Sequence, residues 1–277
     1  MAQAKTDLVP AGQNNGALVV APEVLEALLA DSGDGFQGMR PEDMALPFLG
    51  IVQSQSPQRK KNHEKFIEGA SDGDIYNSVT GTLYQDGVRV IPCHYQKVFV
   101  EWRPDRGGFV AEHGDTDPII RTTTEVRGQN DKVIKRLPNG NELVETAKHF
   151  VVVIGEDGTL TRALIALSSS GLSVSRKWNS LMTAPIKIGS QTLATPPMYA
   201  SAYLLRTVER ANDKGQWFVF SVSPSGYTWD KPELYAYAKA FYHAVVGGEI
   251  KVDFNKSADA NADALDAAIV EKADEIM

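Results

Sequence analysis

Cations and flat rings are interleaved over one short stretch of this chain: Tyr95, Lys97, Phe99, Trp102, Arg103 and Arg106. An unpaired polynucleotide needs that mixture. Its bases stack on aromatic rings for about 1–3 kcal/mol each, while lysine and arginine follow its phosphates. Arg176-Lys177-Trp178 pairs charge with a ring again, as do Tyr199, Tyr203 and Arg206. Arg59, Lys60 and Lys61, with Lys65, form a basic loop that suits either a flap over a bound strand or a plain solvated turn. The expected nucleic-acid-binding set is Tyr95, Lys97, Phe99, Trp102, Arg103 and Arg106, with Arg59, Lys60, Lys61, Arg176 and Lys177 in support. Packing competes with binding at each ring. Trp178 shares an amphipathic stretch with Leu181 and reads first as core, as do Trp217 and Phe220 inside a β run.

Catalytic patterns are absent from the sequence. It has no phosphate loop GxxxxGK[ST], no GxGxxG after a strand and no GxSxG nucleophile turn. His63, His94, His113, His149 and His243 are scattered and form no metal-ligand spacing. Cys93 and His94 are adjacent, so regular strand alternation points them to opposite faces. Asp72 with Asp74, and Asp115 with Asp117, have the spacing of a nuclease metal pair, but their Gly-rich surroundings read as solvated turns. The expectation is a non-enzyme without cofactor or metal.

The elements that must position these residues follow from periodicity. Residues 1–20 are Gln-, Asn-, Gly- and Ala-rich and predict no fixed structure. Pro22 to Ala30 predicts a short helix with Leu25, Leu28 and Leu29 in a stripe. Val88 to Arg103 alternates as a long strand. One face holds Val88, Val90, Val98, Val100 and Trp102; the other holds Tyr95, Lys97 and Phe99. A polar hairpin is expected around Thr122–Leu137, and a second hairpin from His149–Ile154 and Leu160–Leu167 about Glu156-Asp157-Gly158. A helix from Ser169 or Ser170 to Met182 comes next, then strands over Met198–Arg210 and Gln216–Val222. The last element is a helix through Leu234, Tyr237, Phe241 and Val245, closed by Gly247-Gly248. The order strand, strand, strand, helix, strand, strand is that of an OB-fold. The predicted class is mainly β with helices (α+β): an OB-fold-like five-stranded barrel with an added hairpin and a C-terminal helix. Residues 1–45 read as an acidic segment with one helix, 46–250 as the binding domain and 251–277 as an acidic tail.

Charge divides along the same lines. Residues 1–50 carry a net −5 and residues 255–277 a net −4, whereas 51–254 carry +2 and all four tryptophans. One cysteine, Cys93, forbids an internal disulfide and fits a reducing cytoplasm. No apolar run reaches the roughly 18 residues of a membrane span, and the N-terminus lacks a secretory leader pattern. An acidic tail would compete with nucleic acid for the groove and offer replication or recombination proteins a docking point. Alternatively, Ala264, Leu265, Ala268 and Ile269 permit a docked amphipathic helix there.

A resemblance adds to this reading. It lies in Pro47-Phe48-Leu49-Gly50-Ile51, Ser56-Pro57, Phe66-Ile67-Glu68-Gly69-Ala70, Gly73-Asp74-Ile75-Tyr76-Asn77 and Thr80-Gly81. It continues through Val90-Ile91-Pro92-Cys93, Glu101-Trp102-Arg103-Pro104, Gly107-Gly108-Phe109 and Arg176-Lys177-Trp178-Asn179. Over about residues 40–225 the chain resembles a family of tailed-bacteriophage proteins encoded with replication and recombination genes and regarded as single-stranded DNA-binding proteins. The tail is similar in kind to those of bacterial and phage single-strand binders, but it ends Ile276-Met277 rather than in phenylalanine. The resemblance implies a non-catalytic protein of the host bacterial cytoplasm that coats single-stranded DNA, with self-association left open. Two other classes compete: a virion or assembly protein whose rings are subunit contacts, and a metal-dependent nuclease or replication accessory.

Overall fold

The computed structural model describes residues 21–40, 43–104, 107–127, 133–213, 215–250, 252 and 254. Helix α1, Pro22–Ala30, is followed by a small antiparallel sheet of β1 (Leu49–Ile51), β2 (Ile75–Asn77) and β3 (Leu83–Tyr84). The long strand β4 (Val88–Trp102) then leads into an insertion of β5 (Phe109–Gly114), β6 (Thr124–Arg127) and β7 (Val133–Arg136). The hairpin of β8 (Glu142–Ile154) and β9 (Leu160–Ser168) runs into helix α2 (Gly171–Met182). A small hairpin, β10 (Ile186–Ile188) and β11 (Gln191–Leu193), precedes the hairpin of β12 (Ser201–Asn212) and β13 (Gly215–Tyr227), and α3 (Pro232–Val246) comes last. Among the described residues the protein is thus mainly β, with the three helices α1 to α3. No helix among the described residues is long and apolar enough to cross a membrane.

The five long strands form one antiparallel sheet in the order β13-β12-β4-β8-β9, with β5 on the far half of β4 and β7-β6 beyond the start of β8. Numbered along the chain, that order is 5-4-1-2-3, with α2 between the third and fourth strands. The sheet does not close: no ladder joins β9 to β13 among the described residues. The N-terminal segment stands between these two edges. The Leu164 N–H of β9 donates to the Pro47 carbonyl at 2.8 Å. On the other side the buried Gln53 amide meets the β13 backbone twice: its Nε2 donates to the Phe218 carbonyl and its Oε1 accepts from the Phe218 N–H, both at 2.8 Å. A side chain here does the work of a strand.

One core fills the inner side of the sheet beneath α2, with Val90, Val151, Ile165, Trp178, Leu205 and Phe220 among its members. A second lies on the outer side beneath α3, including Ile91, Cys93, Val100, Phe150, Leu164 and Phe241. Both cores use β4, and a bulge makes that possible. The pairing of β4 with β8 shifts between Pro92 and His94, so Cys93 is an extra residue and the alternation of faces changes phase there. Val88 and Val90 point inward, but Val98, Val100 and Trp102 point outward. Cys93 and His94 therefore do not lie on opposite faces as regular alternation requires. Cys93 belongs to the outer core, and the His94 ring sits beside Phe150 and Tyr242 on the same side.

Candidate nucleic-acid interface

Tyr95, Lys97 and Phe99 share one face of β4, opposite His149, Ala147 and Glu145 of β8. Tyr95 is half-buried, its ring 5.2 Å from that of His149. His149 is fully buried and stacks on Trp178 at 4.6 Å, and its Nε2 lies 2.8 Å from Ser175 Oγ. Burial pushes the His149 pKa down to about 3, so the ring is neutral at ordinary pH. Its Nδ1 meets no partner among the described residues, and Ser175 is equally enclosed. The Ser–His contact is therefore a packing contact sealed from water, and Trp178 is core as its helical pattern predicts.

The other two rings expected to face a strand are also packed. Phe99, 5% exposed, lies with Leu137, Leu143, Ile119 and Ile120. Trp102, also 5% exposed, joins the outer core edge-on to Phe109. Both depend on the 104–147 insertion, whose polar composition gave no sign that it folds back over β4 and supplies Phe109, Ile119, Ile120 and Leu137. Neither ring offers a face to a base in this conformation. Lys97 and Lys135 each place their ammonium less than 6 Å from the centre of the Phe99 ring.

The predicted cations divide into two groups. Lys97 is paired with Glu145 at 3.1 Å, and Arg59 with Asp72 at 2.7 Å. Lys60, Lys61, Arg103, Arg176 and Lys177 are exposed, with no carboxylate partner among the described residues. Arg106 lies outside the described residues. Asp74 is buried, where it accepts from the Ser71 N–H, so it does not pair with Asp72. Among the described residues no cluster of three or more His, Cys, Asp or Glu is arranged to hold a metal.

A polar network anchors the insertion to β4. The buried Glu101 accepts from Asn139 Nδ2 at 3.0 Å and Asn141 Nδ2 at 2.6 Å, and its other oxygen is 2.8 Å from His113 Nε2. The second ring nitrogen of His113 is 3.3 Å from Asp117, which also accepts from the Ile119 N–H. Burial alone would raise the Glu101 pKa, but donors from Asn141, Asn139 and His113 outweigh it and hold the carboxyl below its ordinary value.

A group of half-buried rings gathers at the margin of the outer core, and of its tyrosines only Tyr199 stood out in the sequence. Tyr199, in the turn before β12, lies 5.2 Å from Tyr235 and 5.7 Å from Tyr242, both on α3. His94 is 6.2 Å from Tyr242, and all four rings are half-buried. Nearby along the backbone, Tyr227 (48% exposed) stacks on Trp229 at 4.0 Å. The Thr228 hydroxyl between them donates to the Tyr199 carbonyl at 2.6 Å. The signal was present in the seven-residue spacing of Tyr235 and Tyr242, two helical turns apart. The core stripe through Leu234, Tyr237 and Phe241 masked it.

No curated protein and no solved structure matches the chain. The family described as Pam3 phage gp34-like protein matches residues 13–251, and the chain belongs to that family.

Proposed function

We propose that this protein binds single-stranded DNA in a phage replication or recombination system, without catalysis. The observation that carries the reading is that Lys60, Lys61, Arg103, Arg176 and Lys177 are exposed and meet no carboxylate among the described residues, in a chain with 35 acidic against 28 basic residues. Where carboxylates are in excess, cations left in water are available to phosphates. The scaffold supports this reading. The five long strands and α2 follow the chain order of an OB-fold, and the Pro47–Gln53 segment touches both β9 and β13 across the open side of the sheet. OB-folds bind oligonucleotides with their second and third strands and flanking loops. The tail would supply the acidic competitor and a dock for replication partners. A second reading, an assembly protein, rests on α1, whose Leu28 and Leu29 are 59% and 67% exposed.

Anisotropy of a labelled oligo(dT), titrated with full-length protein over a range of salt, tests the proposal. Each phosphate contact contributes a slope of about −0.7 to log K against log salt for single strands. Lys177→Ala and Lys60→Ala should each flatten that slope by about this amount. Absence of binding at low salt, or affinity indifferent to salt, defeats the proposal.

A further inference from the structure

Helix α3 buries one stripe against the outer face of the sheet: Ala238, Phe241 and Ala244, flanked by Leu234, Tyr237 and Val245. That stripe suffices to hold an amphipathic helix. Tyr235 and Tyr242 lie on a second stripe, Tyr242 still touching the margin of the outer core, with the exposed Lys239 between them, four residues from one and three from the other. Two aromatic rings around a lysine are an unusual outward face for a surface helix. Tyr199 reaches both rings from a turn fixed at two points: the Thr228 N–H donates to the Ala200 carbonyl at 3.0 Å, and the Thr228 hydroxyl bonds the Tyr199 carbonyl. His94, placed by the bulge of β4, extends the row beyond Tyr242.

We propose that this row, Tyr235–Tyr199–Tyr242–His94, is a stacking platform for unpaired nucleobases, with Lys239 placed for a phosphate. The inference rests on the single-strand reading above and moves the ring contacts from the inner face of β4 to the α3 side. Spacing favours a single strand over a duplex. Successive ring centroids are 5.2, 5.7 and 6.2 Å apart and their planes are inclined at 67°, 42° and 55°, unlike the parallel bases of a duplex strand with their rise of about 3.4 Å. Bases that remain stacked on one another cannot match that row, whereas splayed bases can. Three phenols, an imidazole and an ammonium line the surface, with the exposed Val246 one turn beyond Tyr242. Lys231, also exposed, adds charge at the start of α3, next to the carboxylates of Asp230 and Glu233. Phosphates should therefore run on the Lys239 side.

The test uses full-length protein and labelled oligo(dT) at low salt, with Tyr235→Ala and Tyr242→Ala singly and together. Each loss should weaken binding about 5- to 150-fold, the range that corresponds to one base–ring stack. Tyr235→Phe, which keeps the ring, should stay within about twofold of the parent. If the parent binds and the double alanine variant binds equally well, the platform is refuted while the function stands. If the parent binds no oligonucleotide, the function itself fails. Nitration of the parent with tetranitromethane, mapped by mass spectrometry, needs no variant to fold. Oligo(dT) should protect Tyr235 and Tyr242, and unchanged modification counts against the platform. A dimer of the parent that the double variant loses, with oligonucleotide affinity retained, would reassign the row to self-association and overturn the proposal.

Discussion

Replacing Gln53 with alanine should cost far more than removing an ordinary polar side chain. Its amide makes two 2.8 Å hydrogen bonds to the backbone of Phe218, whose N–H and C=O point away from β12. Alanine removes both bonds, worth about 1 kcal/mol each, and leaves a backbone donor and acceptor only partly reached by water, for about 1 kcal/mol more. The expected loss is about 3 kcal/mol. At about 2–4 °C per kcal/mol for a chain of this size, the melting temperature should fall by about 6–12 °C. Gln53→Glu sharpens the test, because a carboxylate still accepts from the Phe218 N–H but turns an oxygen toward the Phe218 carbonyl. Its deficit should shrink as pH falls and the protonated acid regains a donor. Differential scanning calorimetry of the three proteins reads these values. A Gln53→Ala melt within about 1 °C of the parent would refute the view that this side chain joins the N-terminal segment to the edge of β13.

Other consequences are equally measurable. His149 protonates only near pH 3 when folded, against about 6.5 when unfolded, so the unfolded state binds more protons between those values. Stability should therefore fall by up to about 1.4 kcal/mol per pH unit as pH drops through that window, and His149→Asn should remove that slope from urea-unfolding data. Glu101 is held below its ordinary pKa, so it contributes stability above the ordinary carboxylate range that is lost on further acidification. Glu101→Gln should flatten the acid limb, detectable by circular dichroism. Gly87 has φ +96° and an added Cβ would collide with the Leu205 carbonyl oxygen. Gly87→Ala should cost at least about 1–3 kcal/mol in chemical denaturation from backbone strain alone. Deleting residues 255–277 removes a net −4 and should tighten oligo(dT) binding at low salt; unchanged affinity argues against competition by the tail.

Local signals specified most of the scaffold. Pro22 opens α1, Val88 opens β4, Met182 ends α2 and Gly247 closes α3, because each boundary depends on a residue whose backbone or patterning constraint is visible in the chain. The short strands β1 to β3 and the hairpin β10–β11 escaped notice. At two or three residues each they carry too little alternation, and β1 owes its place to β9 and β13, which follow more than a hundred residues later. The site was harder still, and the bulge at Cys93 shows why. A period-two pattern run unbroken through Val88–Arg103 groups residues by parity, and a single inserted residue changes what that parity means. Upstream of it Val90 is inner core; downstream Val100, of the same parity, is outer core. The same slip brings His94 to the α3 side, next to Tyr242. It places Tyr95 and Phe99 on the face that the 104–147 insertion and α2 cover. Rings selected by alternation therefore became packing, Phe99 buried and Tyr95 half-buried against the inner core, while the rings beside α3 came from a turn, a helix and the bulge itself. No single element's periodicity assembles those three, because only the tertiary contacts among Thr228, Tyr199 and α3 bring them together.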